Sequence, residues 1–396
     1  MIGGSGQGGA RDYRGIAVAC PVTVPYVKQA KQPAHWFIGS ALRMLLERTG
    51  LDKAAVDGLA VSSFSLGPDT TVALTEHFDM SPRWIEWLPT GGASGVMALR
   101  RAARAVQDGD ASIVACIAGD TASPGDFGDL VRNFSRFSGT AAYPYGGAGP
   151  NGIFALITDH YMRRFGATRA DFGRIAVSQR VNARDNPNAL LGGKALSLDA
   201  YLAAPPIAEP LHLYDCVMPC AGAEAFLVMD EARARAMGLP HARIRGAIER
   251  HNGFFDDPVA ERGGWAIDCD ALYAQAGVGP EDVSCLQSYD DYPVIVALQL
   301  EGLGFCAQGE APAFLRARDF TVEGNFPHNT CGGQLSSGQA GAAGGFLPVV
   351  EALRQVTYQP LGQQVPGARI ALASGYGMVT YDRCLASGAV LVEGAA

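Results

Sequence analysis

The chain has 396 residues, 48% of them hydrophobic and 18% charged, with mean hydropathy +0.08. That is enough for two or three domains around a sizeable core and excludes bulk disorder. A formal charge of −8 argues against nucleic acid or an anionic membrane as the main partner, and no uninterrupted apolar run reaches the length of a bilayer.

Residues 1–14 read as a flexible glycine-rich tail without the apolar segment of an export signal, which points to the cytoplasm. Ile16 to Pro25 is a β-branched strand run. A helical pattern follows from Trp36 to Arg48, stopped by Gly50, and Val56 to Phe64 reads as a buried strand. A glycine turn (Thr90 to Gly95) then leads into a helix from about Val96 to Val106 and a strand at Ser112 to Ala118. Strands alternating with helices imply a layered α/β domain. Thr121 to Pro210 is a long stretch rich in glycine, proline and aromatic residues, with helical patterns at Ile153 to Phe165 and Arg169 to Arg184. A segment of this length inserted on an α/β core suits a lid or a substrate-binding surface.

The opening grammar recurs late in the chain. Gly50 to Val56 overlays Gly277 to Val283 without a gap, and Gly95 to Val106 overlays Gly345 to Val356. Each second match leads to a strand, Ser112 to Ala118 in one case and Ala368 to Ala373 in the other. Two matches in the same order point to an internal duplication. The nine cysteines are scattered, and several lie inside apolar runs, so they read as reduced, buried thiols. Cys216 and Cys220 lack the second pair a zinc site needs, and no metal is expected.

Two halves of one α/β pattern with an insertion in the first resemble the thiolase superfamily. The likeness is carried by Gly92-Ala93-Ser94-Gly95 with its following helix and by Phe165-Gly166-Ala167-Thr168 through Val177-Ser178-Gln179-Arg180 to Ala189. It continues in Asn329-Thr330-Cys331-Gly332-Gly333 with Gly338 to Gly345, and in Gly375-Tyr376-Gly377. The second stretch is similar to sterol-carrier-protein-x and lipid-transfer-type members. The resemblance spans about Gly15 to Val392. It implies a duplicated α-β-α-β-α layered core, with 15–120 and 211–240 forming the first half, 121–210 an inserted loop domain and 241–396 the second half.

The family's reactive groups are absent from the matched positions. Gly92 stands where a thiolase carries its nucleophilic cysteine, whose thiolate draws on the field of a helix N-terminus. Gln339 replaces the catalytic histidine, and an amide cannot act as a base. Ala373 replaces the second cysteine, and Tyr289-Asp290-Asp291-Tyr292 replaces another reactive segment. An acetyl-enzyme at the usual place is excluded.

The resemblance then implies a carbon–carbon lyase working on acyl-CoA thioesters by (retro-)aldol chemistry, as in the lipid-transfer-type aldolases, with coenzyme A as part of the substrate and no bound cofactor. Such a reaction needs a base for the β-hydroxyl proton and donors for the enolate oxygen. Tyr289, Asp290, Tyr292, Gln339 and Tyr376 are the candidates for the chemistry, with His328 and Cys331 as a displaced pair. His328, in a Phe-Pro-His-Asn run, reads as an exposed turn residue. The turns containing Gly92, Ala93 and Ser94, and Asn329, Gly338 and Ala340, are expected to bind the oxyanion or substrate. Two readings compete: an acyltransferase using Cys331 or a partner subunit, and a non-catalytic binder of acyl-CoA or lipid. The resemblance also implies a homodimer and a small OB-fold acyl-CoA-binding partner. Arg132, Arg136, Arg163 and Arg164 are either CoA phosphate contacts or parts of solvated helix faces.

Overall fold

The central strands, rich in small and aliphatic residues, bury both faces, as in Gly58–Ser62 and Ile113–Asp120. In this computed structural model, residues 12–123, 128, 139, 143–146, 149–380 and 383–395 are described. Arg132 and Arg136 lie outside them. Nine strands form one sheet: β1 (Ile16–Val27), β2 (Gly58–Ser62), β3 (Trp84–Trp87), β4 (Ile113–Asp120), β7 (Ala221–Asp230), β8 (His241–His251), β9 (Cys285–Ser288), β10 (Ile370–Thr380) and β11 (Arg383–Gly394). A separate two-stranded ribbon pairs β5 (Pro206–Ala208) with β6 (Leu211–His212).

The order β3-β2-β4-β7-β1-β8-β11-β10-β9 exposes the duplication. In the first half β2 runs parallel to β4, and β4–β7 and β7–β1 are antiparallel. In the second half β9 runs parallel to β10, and β10–β11 and β11–β8 are antiparallel. The halves join where Ala17–Ala19 of β1 pair with His241–Arg243 of β8. The gapless sequence match holds in local geometry as well. Gly50 and Gly277 both end a helix in the left-handed region, at φ +68° and +65°, and a 3₁₀ turn follows each.

Alternation along the strands sorts side chains into layers. Val114, Cys116 and Ala118 of β4 share a core with Ala371 and Ala373 of β10. The same core takes Val96, Met97 and Leu99 of the Ser94–Asp108 helix and Val349, Val350 and Leu353 of the Leu347–Val356 helix. These two helices are therefore the middle layer. Ile113, Ala115 and Ile117 face the other way, under Phe37, Ile38 and Leu45 of the Ala34–Thr49 helix. In the second half Ile370 and Leu372 face Trp265 and Leu272 of the Trp265–Ala276 helix and Ile295 of the Pro293–Gly302 helix. The result is the expected α-β-α-β-α sandwich.

Between β4 and β7 lie helices Gly149–Phe165, Arg169–Asn182 and Leu198–Leu202 and the β5–β6 ribbon. β6 pairs with β5 rather than with the main sheet, which the chain rejoins at β7. All nine cysteines are free. Among the described residues, no helix is long and apolar enough to cross a membrane.

Candidate active site

The site grows from the end of β9. This strand lies parallel to β10, and the chain leaves it at Tyr289 and enters the Pro293–Gly302 helix through Tyr292 as its N-cap. Asn329, at φ +45°, brackets the strand end: its side-chain oxygen accepts from the Ser288 amide at 2.8 Å and its amide donates to the Ser288 carbonyl at 3.0 Å. The Tyr289 backbone is held by Ser374 O at 3.1 Å and by the Gln299 amide at 2.7 Å. A short turn with this many ties presents its side chains in one fixed arrangement.

Those side chains open into a cavity of about 980 Å³ between the core and the insertion. The Tyr289 hydroxyl donates to Asp291 Oδ2 at 2.7 Å. The Gln339 amide nitrogen donates to the Tyr289 oxygen at 3.1 Å and to Asp291 Oδ1 at 2.8 Å, so both of its hydrogens are engaged. The Tyr292 hydroxyl donates to Asn151 Oδ1 at 2.5 Å, and its ring stacks on Phe154 at 4.3 Å. Tyr376 closes the floor with its ring against Trp265.

Gly92 faces this cluster at very close range. A Cβ at residue 92 would lie 2.4 Å from the Tyr289 ring and 2.3 Å from the Tyr376 carbonyl oxygen. Real Cβ atoms do not approach so closely, so the tyrosine ring occupies the space that a side chain at 92 would need. The ring comes from the other half of the chain, at the end of β9.

Burial sets the protonation states. It drives the Tyr289 phenol well above its ordinary pKa, and the neighbouring Asp291 charge adds to the effect, so the phenol stays protonated. Burial likewise pushes Asp291 up to about 7, with Asp290 adding repulsion and Tyr289 and Gln339 opposing through hydrogen bonds. Asp290 is pushed up to about 6 by burial but serves a different purpose. Its oxygens accept the backbone N–H groups of Gln334 (3.0 Å) and Leu335 (3.3 Å) at the start of the Gly333–Ser337 helix.

Of the residues expected to carry the chemistry, Tyr289, Tyr292, Gln339 and Tyr376 line the cavity, whereas Asp290, His328 and Cys331 do not. His328 is not an exposed turn residue. It is fully buried, its Nε2 lies 2.7 Å from Ser288 Oγ, and burial lowers its pKa to about 3. The Phe320 ring and the strand bridge to Leu286 enclose it, which a Pro-His-Asn run does not reveal. Cys331 is buried with its thiol pKa raised, the opposite of an activated nucleophile.

The expected oxyanion turns also differ. Among Gly92, Ala93, Ser94, Asn329, Gly338 and Ala340, only Gly92 lines the cavity. The Ala93 and Ser94 amides donate to Thr90 O and Gly91 O within their own turn. The amides of Gly338 and of its neighbour Gln339 donate to Gln334 O and Met218 O. The first turn consumes its own donors and the second gives one to a bridging segment at Met218, which accounts for the difference. Arg163 and Arg164 pair with Asp159 and Glu261 away from the cavity.

Sequence reasoning missed Asp291, Asn151 and Arg180 as parts of the cavity wall. Asp291 was within reach of it: in an extended segment, residues two apart share a side, and Asp291 is two residues from Tyr289. Asn151 and Arg180 come from helices of the insertion and carry no local signal.

Comparison with known proteins gives this geometry a context. Residues 256–386 match the family described as Thiolase C-terminal domain-like. The chain is 30% identical over 345 residues to a steroid side-chain-cleaving aldolase of Thermomonospora curvata, covering 84% of this chain and 87% of that protein. It is also 30% identical over 334 residues to a 17-hydroxy-3-oxo-4-pregnene-20-carboxyl-CoA lyase of Mycobacterium tuberculosis, covering 80% and 85%. Among solved structures, an Ltp2-ChsH2(DUF35) aldolase superposes with a TM-score of 0.83 at 26% identity, over 96% of this chain and 98% of that one.

Proposed function

This chain belongs to the thiolase superfamily, and from that premise we propose that it is a carbon–carbon lyase cleaving β-hydroxyacyl-CoA thioesters by a retro-aldol step. The observation that carries the reading is the Tyr289 ring in the place of a nucleophile's side chain, with its hydroxyl tied to Asp291 and Gln339. Relatives with matching lengths are named as an aldolase and a CoA lyase, which supports the same class of reaction.

In the proposed step the substrate's β-hydroxyl proton passes to the Tyr289 oxygen as the phenol's own proton passes to Asp291. The oxygen lone pair forms the new C=O, the Cα–Cβ bond breaks, and its electron pair moves onto the thioester oxygen as an enolate. The Asn151 carboxamide on the same wall supplies an N–H donor to that oxygen. The proton held by Asp291 returns through Tyr289 to Cα, giving a shortened acyl-CoA and a ketone or aldehyde. No acyl-enzyme forms. Tyr289 thus relays the proton and Asp291 is the base, poised near 7 where a general base is most effective. Gln339, with both hydrogens engaged, positions this pair rather than polarising the thioester.

A homodimer and a small OB-fold partner belong to the same proposal. The name of a solved relative, Ltp2-ChsH2(DUF35) aldolase, joins two components, which supports a partner. The test is to incubate the protein, alone and with such a partner, with β-hydroxyacyl-CoA thioesters. Release of a carbonyl compound and a shortened acyl-CoA in equal amounts is expected. Stable acyl label on the protein, removed by Cys331→Ala, would overturn the reading in favour of acyl transfer.

A further inference from the structure

Two arginines are buried in this molecule under opposite conditions. Arg354, in the middle layer, sits within the fields of Glu224 and Glu351 and donates to Thr23 Oγ1 at 2.9 Å. Its charge is balanced inside the protein. Arg180, near the end of the Arg169–Asn182 helix, is only 6% exposed and lines the cavity. Its Nε donates to Ser336 Oγ at 3.0 Å and its Nη1 to the Lys194 carbonyl at 3.0 Å, both neutral acceptors. Among the described residues, no carboxylate forms an ion pair with it.

The carboxylates nearby are engaged elsewhere. Asp171 on the same helix is taken by Arg316 and Thr168. In the cavity wall, Asp291 holds Tyr289 and Gln339, and Asp120 accepts from Ser63, Ser65 and the Ala342 amide. Lys194 adds a second positive side chain to the same wall, and the Tyr214 ring lies 6.0 Å from the guanidinium. A desolvated guanidinium without a counter-ion is unfavourable in the empty protein, and an incoming anion offsets that cost.

We propose that Arg180, with Lys194 beside it, is an anion-recognition subsite of the cavity that takes an oxyanion of the substrate. The planar fork of the guanidinium suits phosphate and carboxylate alike. Two parts of an acyl-CoA can supply that chemistry, the phosphates of the nucleotide portion or a carboxylate on the acyl chain. This inference rests on the reading of the cavity as a thioester site, yet its test needs no turnover.

The full-length protein and its Arg180→Gln and Arg180→Lys variants are titrated calorimetrically with CoA and with pantetheine, which lacks the phosphates. The same variants are assayed with acyl-CoA substrates differing only in a terminal carboxylate. If the phosphates are recognised, Arg180→Gln weakens CoA binding about tenfold or more and leaves pantetheine within twofold. If the acyl carboxylate is recognised, Arg180→Gln raises KM about tenfold for the carboxylated substrate alone, with kcat little changed. In either arm Arg180→Lys falls between. Equal losses for charged and uncharged ligands, or no loss for any, overturn the proposal. Should Arg180→Gln fold poorly, salt titration of the unmodified protein decides: binding of the anionic ligand must weaken with salt while the neutral one is unmoved. Arg180-dependent binding without cleavage of any thioester would refute only the lyase reading.

Discussion

Asp290 and Asp291 are covalent neighbours with the same side chain, the first buried and the second half-buried at the cavity wall, and the fold uses them in opposite ways. On the interior side, Asp290 spends its oxygens on the backbone at the start of a short helix. On the cavity side, Asp291 is met by groups that can exchange protons or be displaced by a substrate, the Tyr289 hydroxyl and the Gln339 amide. The difference teaches that burial alone does not mark a reactive carboxylate. What distinguishes Asp291 is the company of a mobile proton and an open cavity.

The sharpest way to break the comparison is to evict the cavity side. Gly92→Cys puts a side chain where the Tyr289 ring sits, so it should abolish lyase activity and destabilise the fold by about 1–3 kcal/mol through overpacking. Mass spectrometry after incubation with acyl-CoA should find no acyl adduct on the new cysteine. Tyr289→Phe keeps the ring and removes only the relay, so turnover should fall on the order of 10³-fold with an unchanged melting temperature. A variant that retained full activity would remove Tyr289 from the mechanism.

Asp291→Asn and Asp290→Asn should separate the two sides directly. The first should lower turnover on the order of 10²-fold while leaving thermal stability intact or raised. The second should lower stability by about 1–3 kcal/mol, as an acceptor of buried N–H groups becomes a poorer one. Thermal melts beside steady-state rates check both. A loss of stability in the first with none in the second would invert the assignment.

The pH dependence is a smaller effect with a definite sign. Asp291 has a folded pKa of about 7, raised from 3.8. Between about pH 4 and pH 7 the unfolded chain has therefore released this proton while the folded chain retains it, and stability falls as pH rises through that window. Asp291→Asn should flatten part of the fall, leaving the contributions of Glu224, near 7, and Asp290, near 6. Lyase rate should rise through pH 7 as Asp291 ionises. The least effect belongs to Cys331→Ala, whose thiol lies outside the cavity wall, with activity expected within about twofold.

Much of the fold was legible because it is written in periodicity and repetition. The offset linking Gly50 to Gly277 survives as two identical helix ends, and the strands Ser112 to Ala118 and Ala368 to Ala373 fall on equivalent strands of the two halves. The site was half legible. Tyr289, Tyr292, Gln339 and Tyr376 sit on local motifs and reach the cavity. The donor turns were harder to read because sequence shows which amides exist but not which carbonyls take them up. His328 misled because a turn-forming run says nothing of what packs over it. Arg180 lies on a helix with weak amphipathicity, and only the tertiary fold shows it facing a void instead of a carboxylate.

The contact between residue 92 and the ring of Tyr289 also couples two positions that are distant in sequence. A side chain at the first position and the aromatic ring at the second compete for one volume, so one must shift if both are present. A change at either position therefore alters what the other can accept, although they lie in different halves of the chain. Shrinking residue 289 alone would not open the space, because the Tyr376 carbonyl oxygen would still lie 2.3 Å from a Cβ at 92.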